Sequence, residues 1–174
     1  MTTVLTKKEI EMIKERIEDR VAGWVQTYAD TITKNYRDYH IHTLKGNLLG
    51  NYPEYAREQL DAIENGTANL YWYKIKTGKK FYKIVQMEYS EASDYYNRKA
   101  GYREGSVHAF VDKKTGQVYK PASWQAPAKH VRYDLRIIRE REFLFNSNNT
   151  GWAGGYLYLR KPTIYNILQG SFTH

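Results

Sequence analysis

TKKEIEMIKERIEDRVAGWVQTYADTITKNYRDY, residues 6–39, decides the fold. Within it Ile10, Ile13, Ile17, Val21, Trp24, Tyr28, Ile32 and Tyr36 recur at steps of three or four. That period places side chains on one face of an α-helix. Thr6, followed three residues later by Glu9, has the form of a capping box: the hydroxyl accepts from an orphan backbone N–H and the carboxylate accepts from the cap's own N–H. A helix of roughly 33 residues is about 50 Å long, more than the width of a small domain. Part of its stripe is therefore expected to face another copy of the chain, giving a homo-oligomer through the N-terminal helix. A break near Gly23, folding the segment back as a hairpin, is the alternative.

Beyond this helix, residues 46–50 read as a loop and Pro53 as the first position of a second helix, where a missing N–H costs nothing. Ala56, Leu60 and Ile63 form its apolar side, and Asn65-Gly66 supplies a left-handed stop. The character changes at Asn69. LYWYKIK (70–76) and FYKIVQM (81–87), joined through Thr77-Gly78, are aromatic and β-branched and read as a hairpin. Residues 90–105 have no clean period and are expected to be a loop or an irregular helix.

SVHAFV (106–111) and QVYK (117–120) flank a turn that opens with Asp112 and closes with Gly116, a second hairpin ended by Pro121. A compact segment to Lys129 follows, then a short helix from Leu135 to Phe145, a polar loop over 146–150, and a last strand from Trp152 to Leu159. The expected class is α+β: a long N-terminal helix and a second helix packed with a small antiparallel sheet. A single domain over 1–174 is expected, helical over 1–66 and β-rich over 67–174.

Composition narrows the partners. Net charge is +8, from 27 Lys plus Arg against 19 Asp plus Glu, which favours anionic partners. The aromatic content is mostly tyrosine, 17 Tyr against 5 Phe, and tyrosine combines an apolar ring with a polar tip suited to half-exposed binding surfaces. The absence of cysteine excludes disulfides, thiolate zinc sites and a Cys nucleophile. The N-terminus lacks the apolar core of a secretory signal and no window approaches a membrane span, so a cytoplasmic location without membrane contact is expected.

The stretches SVHAFVDKKTGQVYKPASWQAPAK (106–129) and GWAGGYLYLR (151–160) resemble a group of uncharacterised proteins carried by tailed bacteriophages. The resemblance does not extend to the N-terminal helices and carries over no functional residue. It implies a phage-encoded protein acting in the infected bacterial cytoplasm, of the kind that interferes with host machinery or host immune signalling.

The candidate ligand surface is the second hairpin and its exit. Lys113, Lys114, Lys120, Lys129, His130 and Arg132 are interleaved with Tyr119 and Trp124, and Ser123 adds a hydroxyl in a proline-bounded turn. Cations neutralise phosphates while rings stack on bases. A nucleotide-like small anion, held without catalysis, is the leading expectation; the alternatives are a DNA- or RNA-binding protein, a phosphodiesterase or nuclease, and a protein inhibitor of a host enzyme. The competing structural reading makes Lys113 and Lys114 a solvated turn and Trp124 a core plug.

His40 and His42 would share a face if extended, as a metal or acid–base pair requires, but no carboxylate completes a metal set and a structural or solvent-facing role is favoured. Glu140 and Glu142, alternating with Arg139 and Arg141, read as a solvated helix face. Gly151, Gly154 and Gly155 do not form a dinucleotide fingerprint, and there is no Walker sequence. No catalytic residue, metal ligand or cofactor is expected.

Overall fold

The computed structural model describes residues 4–159. Helix α1 runs from Lys7 to Asn47, 41 residues or about 62 Å. Its capping box forms: the Thr6 hydroxyl accepts from the Glu9 N–H at 3.3 Å, and the Thr6 N–H donates to Glu9 Oε2 at 2.7 Å. The helix passes through Gly23 without a break and continues beyond Tyr39 to Asn47, two residues into the expected 46–50 loop. Helix α2, Pro53–Glu64, starts on its proline and docks Ala56 and Ile63 against Leu44.

Five antiparallel strands form a meander in the order β1-β2-β3-β4-β5. They are β1 Trp72–Thr77, β2 Phe81–Ser90, β3 Gly101–Asp112, β4 Gln117–Tyr119 and β5 Tyr133–Asp134. The α+β class is as expected. Residues 90–105 differ from expectation: β2 and β3 pair as far as Ser90 and Gly101, leaving only residues 91–100 as the connection. Cross-strand pairing satisfies the backbone there, so no side-chain period was needed to specify it. The turn after β3 follows its sequence signature. Asp112 Oδ1 accepts from the N–H groups of Lys114 and Thr115 at 2.9 and 3.0 Å, and Gly116 takes φ 68°.

Helix α3, Ile138–Leu144, lies within the expected 135–145 segment. The expected last strand does not form; residues 152–159 make a turn and a short 3-10 helix, Gly155–Leu157, entered through Gly154 at φ 76°. A left-handed residue ends strand geometry, and Gly151, Gly154 and Gly155 give the segment little to pack as a strand.

The sheet carries apolar residues on both faces. Toward α1, Val21, Val25, Tyr28, Ala29 and Ile32 bury against Tyr73, Ile84, Ala109, Val111, Val118 and Leu135. Full burial of such a side chain contributes about 1.5–3 kcal/mol each, which makes this the principal core. On the outer face Val85, Met87, Val107 and Phe110 are covered by Phe81, Tyr119 and Trp124. N-terminal to Ile17, α1 projects past the sheet, and Ile10 and Ile13 are left exposed.

The pairing of β2 with β3 contains a bulge that matters for the site. The register steps from Ile84↔Ala109 to Val85↔Val107, so His108 is the extra residue on β3. A bulge turns a side chain away from its alternating position. His108 is thereby brought to the α1 side, where it meets Tyr73 and Tyr156.

Candidate functional site

A cavity of about 400 Å³ opens between the middle of β2 and β3, the end of β4 and the 152–158 segment. Gln86, Ser106 and His108 come from the bulged strands, Lys120 and Pro121 from the exit of β4, and Trp152, Gly154, Leu157 and Tyr158 from the C-terminal segment. Its size lies within the range of small-molecule sites, roughly 300–1,000 Å³.

The wall formed by the C-terminal segment is held by polar contacts. Asn35 on α1 donates from Nδ2 to the Ser147 carbonyl at 2.6 Å and accepts the Trp152 N–H at Oδ1 at 2.8 Å. The Arg132 guanidinium donates to the carbonyls of Leu157 at 2.7 Å and Lys129 at 2.8 Å, and also to that of His130. The Tyr133 hydroxyl donates to the Tyr156 carbonyl at 3.0 Å. The indole of Trp152 meets the ring of Tyr36 edge-on, 5.3 Å between centroids.

Behind the cavity lies a chain of buried polar groups. Tyr28 and Tyr156 share a hydrogen bond between their hydroxyls, and the Tyr156 hydroxyl also lies 2.8 Å from His108 Nε2. The Tyr73 hydroxyl is 3.1 Å from Gln86 Oε1 and 3.3 Å from the Trp152 carbonyl, and Gln86 Nε2 donates to Glu88 Oε1 at 2.8 Å. Burial pushes His108 down to about 4, against a smaller opposing effect of its hydrogen bond to the Trp152 backbone. The imidazole is therefore neutral at pH 7. Burial likewise raises the phenols of Tyr28, Tyr73 and Tyr156, so all three hydroxyls stay protonated.

At the cavity rim, Lys120 Nζ sits 4.7 Å from the centroid of the Tyr158 ring and donates to the Pro121 carbonyl at 3.4 Å. Tyr158 is exposed. The rim thus presents an ammonium lying over one face of an exposed ring, and the floor presents neutral polar groups.

The structure distributes the sequence-derived surface over several places. Lys120 alone lines the cavity. Lys113 and Lys114 sit in the β3–β4 turn, Lys113 over the Tyr82 ring and within 3.4 Å of the Gly78 carbonyl. Trp124 and Tyr119 pack on the outer face of the sheet. The Ser123 hydroxyl is used locally, accepting from the N–H groups of Gln125 and Ala126 at 3.2 Å each. Lys129 and His130 are exposed, and Arg132 is committed to three carbonyls.

His40 and His42 lie on α1 rather than on an extended segment, so they do not share a face. His40 stacks on Tyr36 at 5.8 Å and is lowered by burial, while His42 is exposed. Glu140 accepts the Asp134 N–H at 3.0 Å, and Glu142 is exposed. No group of three His, Asp or Glu suited to a metal occurs among the described residues, and none of their helices is long and apolar enough to cross a membrane.

Sequence reasoning passed over Gln86, His108, Tyr28 and Tyr156. The one signal was a histidine inside the apolar run VHAFV, which marks either a bulge or a buried hydrogen bond; here it is both.

Fold and cavity define an α+β protein in which a five-stranded meander, clamped under one long helix, carries a polar pocket closed by its C-terminal segment. The chain belongs to DUF7717, a family of unknown function, whose model matches residues 6–159. No curated protein and no solved structure matches it.

Proposed function

We propose that the protein binds a small anionic ligand of the nucleotide class in this cavity and holds it without turnover. The observation that carries the reading is the pairing of Lys120 with the exposed Tyr158 ring at the rim of a cavity of small-molecule size. An ammonium supplies the counter-charge for a phosphate, and the ring supplies a surface for a planar base. Ser106 and the remaining donor and acceptor capacity of Gln86 add hydrogen-bonding groups that fix orientation.

Binding is favoured over hydrolysis by the state of His108. It is the cavity's imidazole, it is neutral with a value of about 4, and its Nε2 is already bonded to Tyr156. A general base works best near the operating pH, so this histidine is poorly suited to accept a proton from water. Together with the resemblance of residues 106–129 and 151–160 to phage proteins, the biological form of the reading is sequestration of a host nucleotide signal, including cyclic nucleotides, in the infected cytoplasm.

Calorimetry against a panel of linear and cyclic nucleotides, followed by recovery of the ligand after denaturation, tests it. Intact ligand and weakening of roughly tenfold or more on Lys120→Ala are expected, the loss of one charge-assisted contact of about 1.5–3 kcal/mol. Absence of binding across the panel removes the proposal, and recovery of cleaved ligand replaces it with a phosphodiesterase.

A further inference from the structure

The residues from Lys74 to Lys83, KIKTGKKFYK, contain five lysines and no acidic residue. They form β1, its turn and the start of β2, so the hairpin gathers these charges at one end of the sheet. Lys76 and Lys83 are direct cross-strand partners. Like charges placed opposite one another destabilise a strand pair, a cost that Glu104 beside Lys76 and the Trp124 ring offset here. Both ammonium groups lie over the Trp124 ring, at 5.7 and 5.6 Å from its centroid, and Lys83 also donates to the Trp124 carbonyl at 2.8 Å.

The neighbouring turn sits beside the first, since the Lys113 N–H donates to the Lys80 carbonyl at 3.0 Å; it brings Lys114, while the Lys113 ammonium lies over the Tyr82 ring on the other face. Counter-charge is sparse. Glu104 takes Lys76 at 2.8 Å and Lys74 at 3.8 Å. Asp112 is buried and occupied by two backbone N–H groups of its own turn. Glu18 and Asp19 of α1 act on Tyr82, on the other face of the sheet.

We propose that this lysine face binds the phosphate backbone of nucleic acid without reading sequence. Lys74 and Lys76 share the Glu104 carboxylate, so the exposed charges left without an ion pair among the described residues of this hairpin end are those of Lys79, Lys80 and Lys114, on two adjoining turns, a spread that a chain of phosphates meets at several points. Unlike the exposed Tyr158, the rings on this face are buried or half-buried beneath cations: Phe81 under Lys80, Phe110 under Lys83 and Trp124 under Lys76 and Lys83. Base stacking is therefore not offered, and the contact is electrostatic, driven by release of counterions from the polymer. The site is separate from the cavity and stands whether or not a nucleotide binds there.

The test is fluorescence anisotropy with short random-sequence single- and double-stranded oligonucleotides between about 50 and 200 mM salt. Lys79→Gln, Lys80→Gln and Lys114→Gln are combined in one protein. Lys7→Gln, Lys8→Gln and Lys45→Gln, which remove equal charge from the ends of α1, are combined in a second. Each lysine that meets a phosphate adds about 0.7–0.9 to the slope of log K against log salt, so the first triple variant is expected to lower the slope by about 2 to 3. The second triple and Lys120→Ala are expected to leave it unchanged, and a preference between the two oligonucleotides tells which backbone the face fits. Three results would overturn the proposal: no binding to either oligonucleotide at the lower salt, equal losses in the two triple variants, or polyglutamate binding as tightly as nucleic acid.

Discussion

Lowering the pH from about 7.5 to about 5 should destabilise this protein by about 2 kcal/mol through one residue. His108 titrates near 6.5 when exposed, and burial brings it down to about 4 in the folded chain. Between those values the unfolded chain binds a proton that the folded chain does not. Stability rises with pH wherever the unfolded state holds more protons, so this contribution is fully present above about 6.5 and is lost as pH falls toward 4. The full gap of about 2.5 pH units, at 1.36 kcal/mol each, amounts to about 3 kcal/mol, of which about 2 kcal/mol is lost by pH 5. With a urea dependence of about 2 kcal/mol per molar, the midpoint moves down by about 1 M. The assay is urea unfolding at both pH values for the unmodified protein and for His108→Gln, which keeps a polar side chain but cannot titrate. Glu9, Glu104 and Asp134, all held below their ordinary range, and His40 are present in both proteins and cancel in the comparison. Equal losses in the two proteins would refute the argument, because His108 would then not be buried and neutral.

Tyr28→Phe removes the hydroxyl bonded to Tyr156 but leaves the His108 contact, so unfolding at neutral pH should show a loss of about 1–2 kcal/mol. A change below a few tenths would mean that the two hydroxyls do not meet. If chains associate through the exposed Ile10 and Ile13 at the free end of α1, Ile13→Glu should lower the mass found by sedimentation equilibrium. An unmodified protein that sediments as a monomer at high concentration would remove that reading.

Much of the architecture is legible in the order of the residues. The stripe from Ile10 to Tyr36, the Thr6–Glu9 cap, Pro53 and the Asp112–Gly116 turn are local signals, and each became the element it implied. They succeed because a cap, a helical period or a turn depends on residues within a few positions of one another. The exceptions have nonlocal causes. The pairing of Met87–Ser90 with Gly101–Glu104 is stabilised across the sheet rather than along the chain, and the segment 152–159, which reads as a strand, pairs with none and is instead tied down by Asn35, Arg132 and Tyr133.

The cavity belongs wholly to that second category. Lys120 was visible as a cation near aromatic residues, but its ring is Tyr158, thirty-eight positions away by residue number, and not the nearby Trp124. His108 gains its role from a bulge that depends on the register with β2, and its Tyr156 partner is placed by α1 and β5. Chemistry types, net charge and helix positions are properties of residues and their near neighbours, so the amino-acid order alone determined them. Which cation meets which ring, and which histidine is stripped of water, depend on strand register and packing between distant segments, and only the tertiary structure decided those.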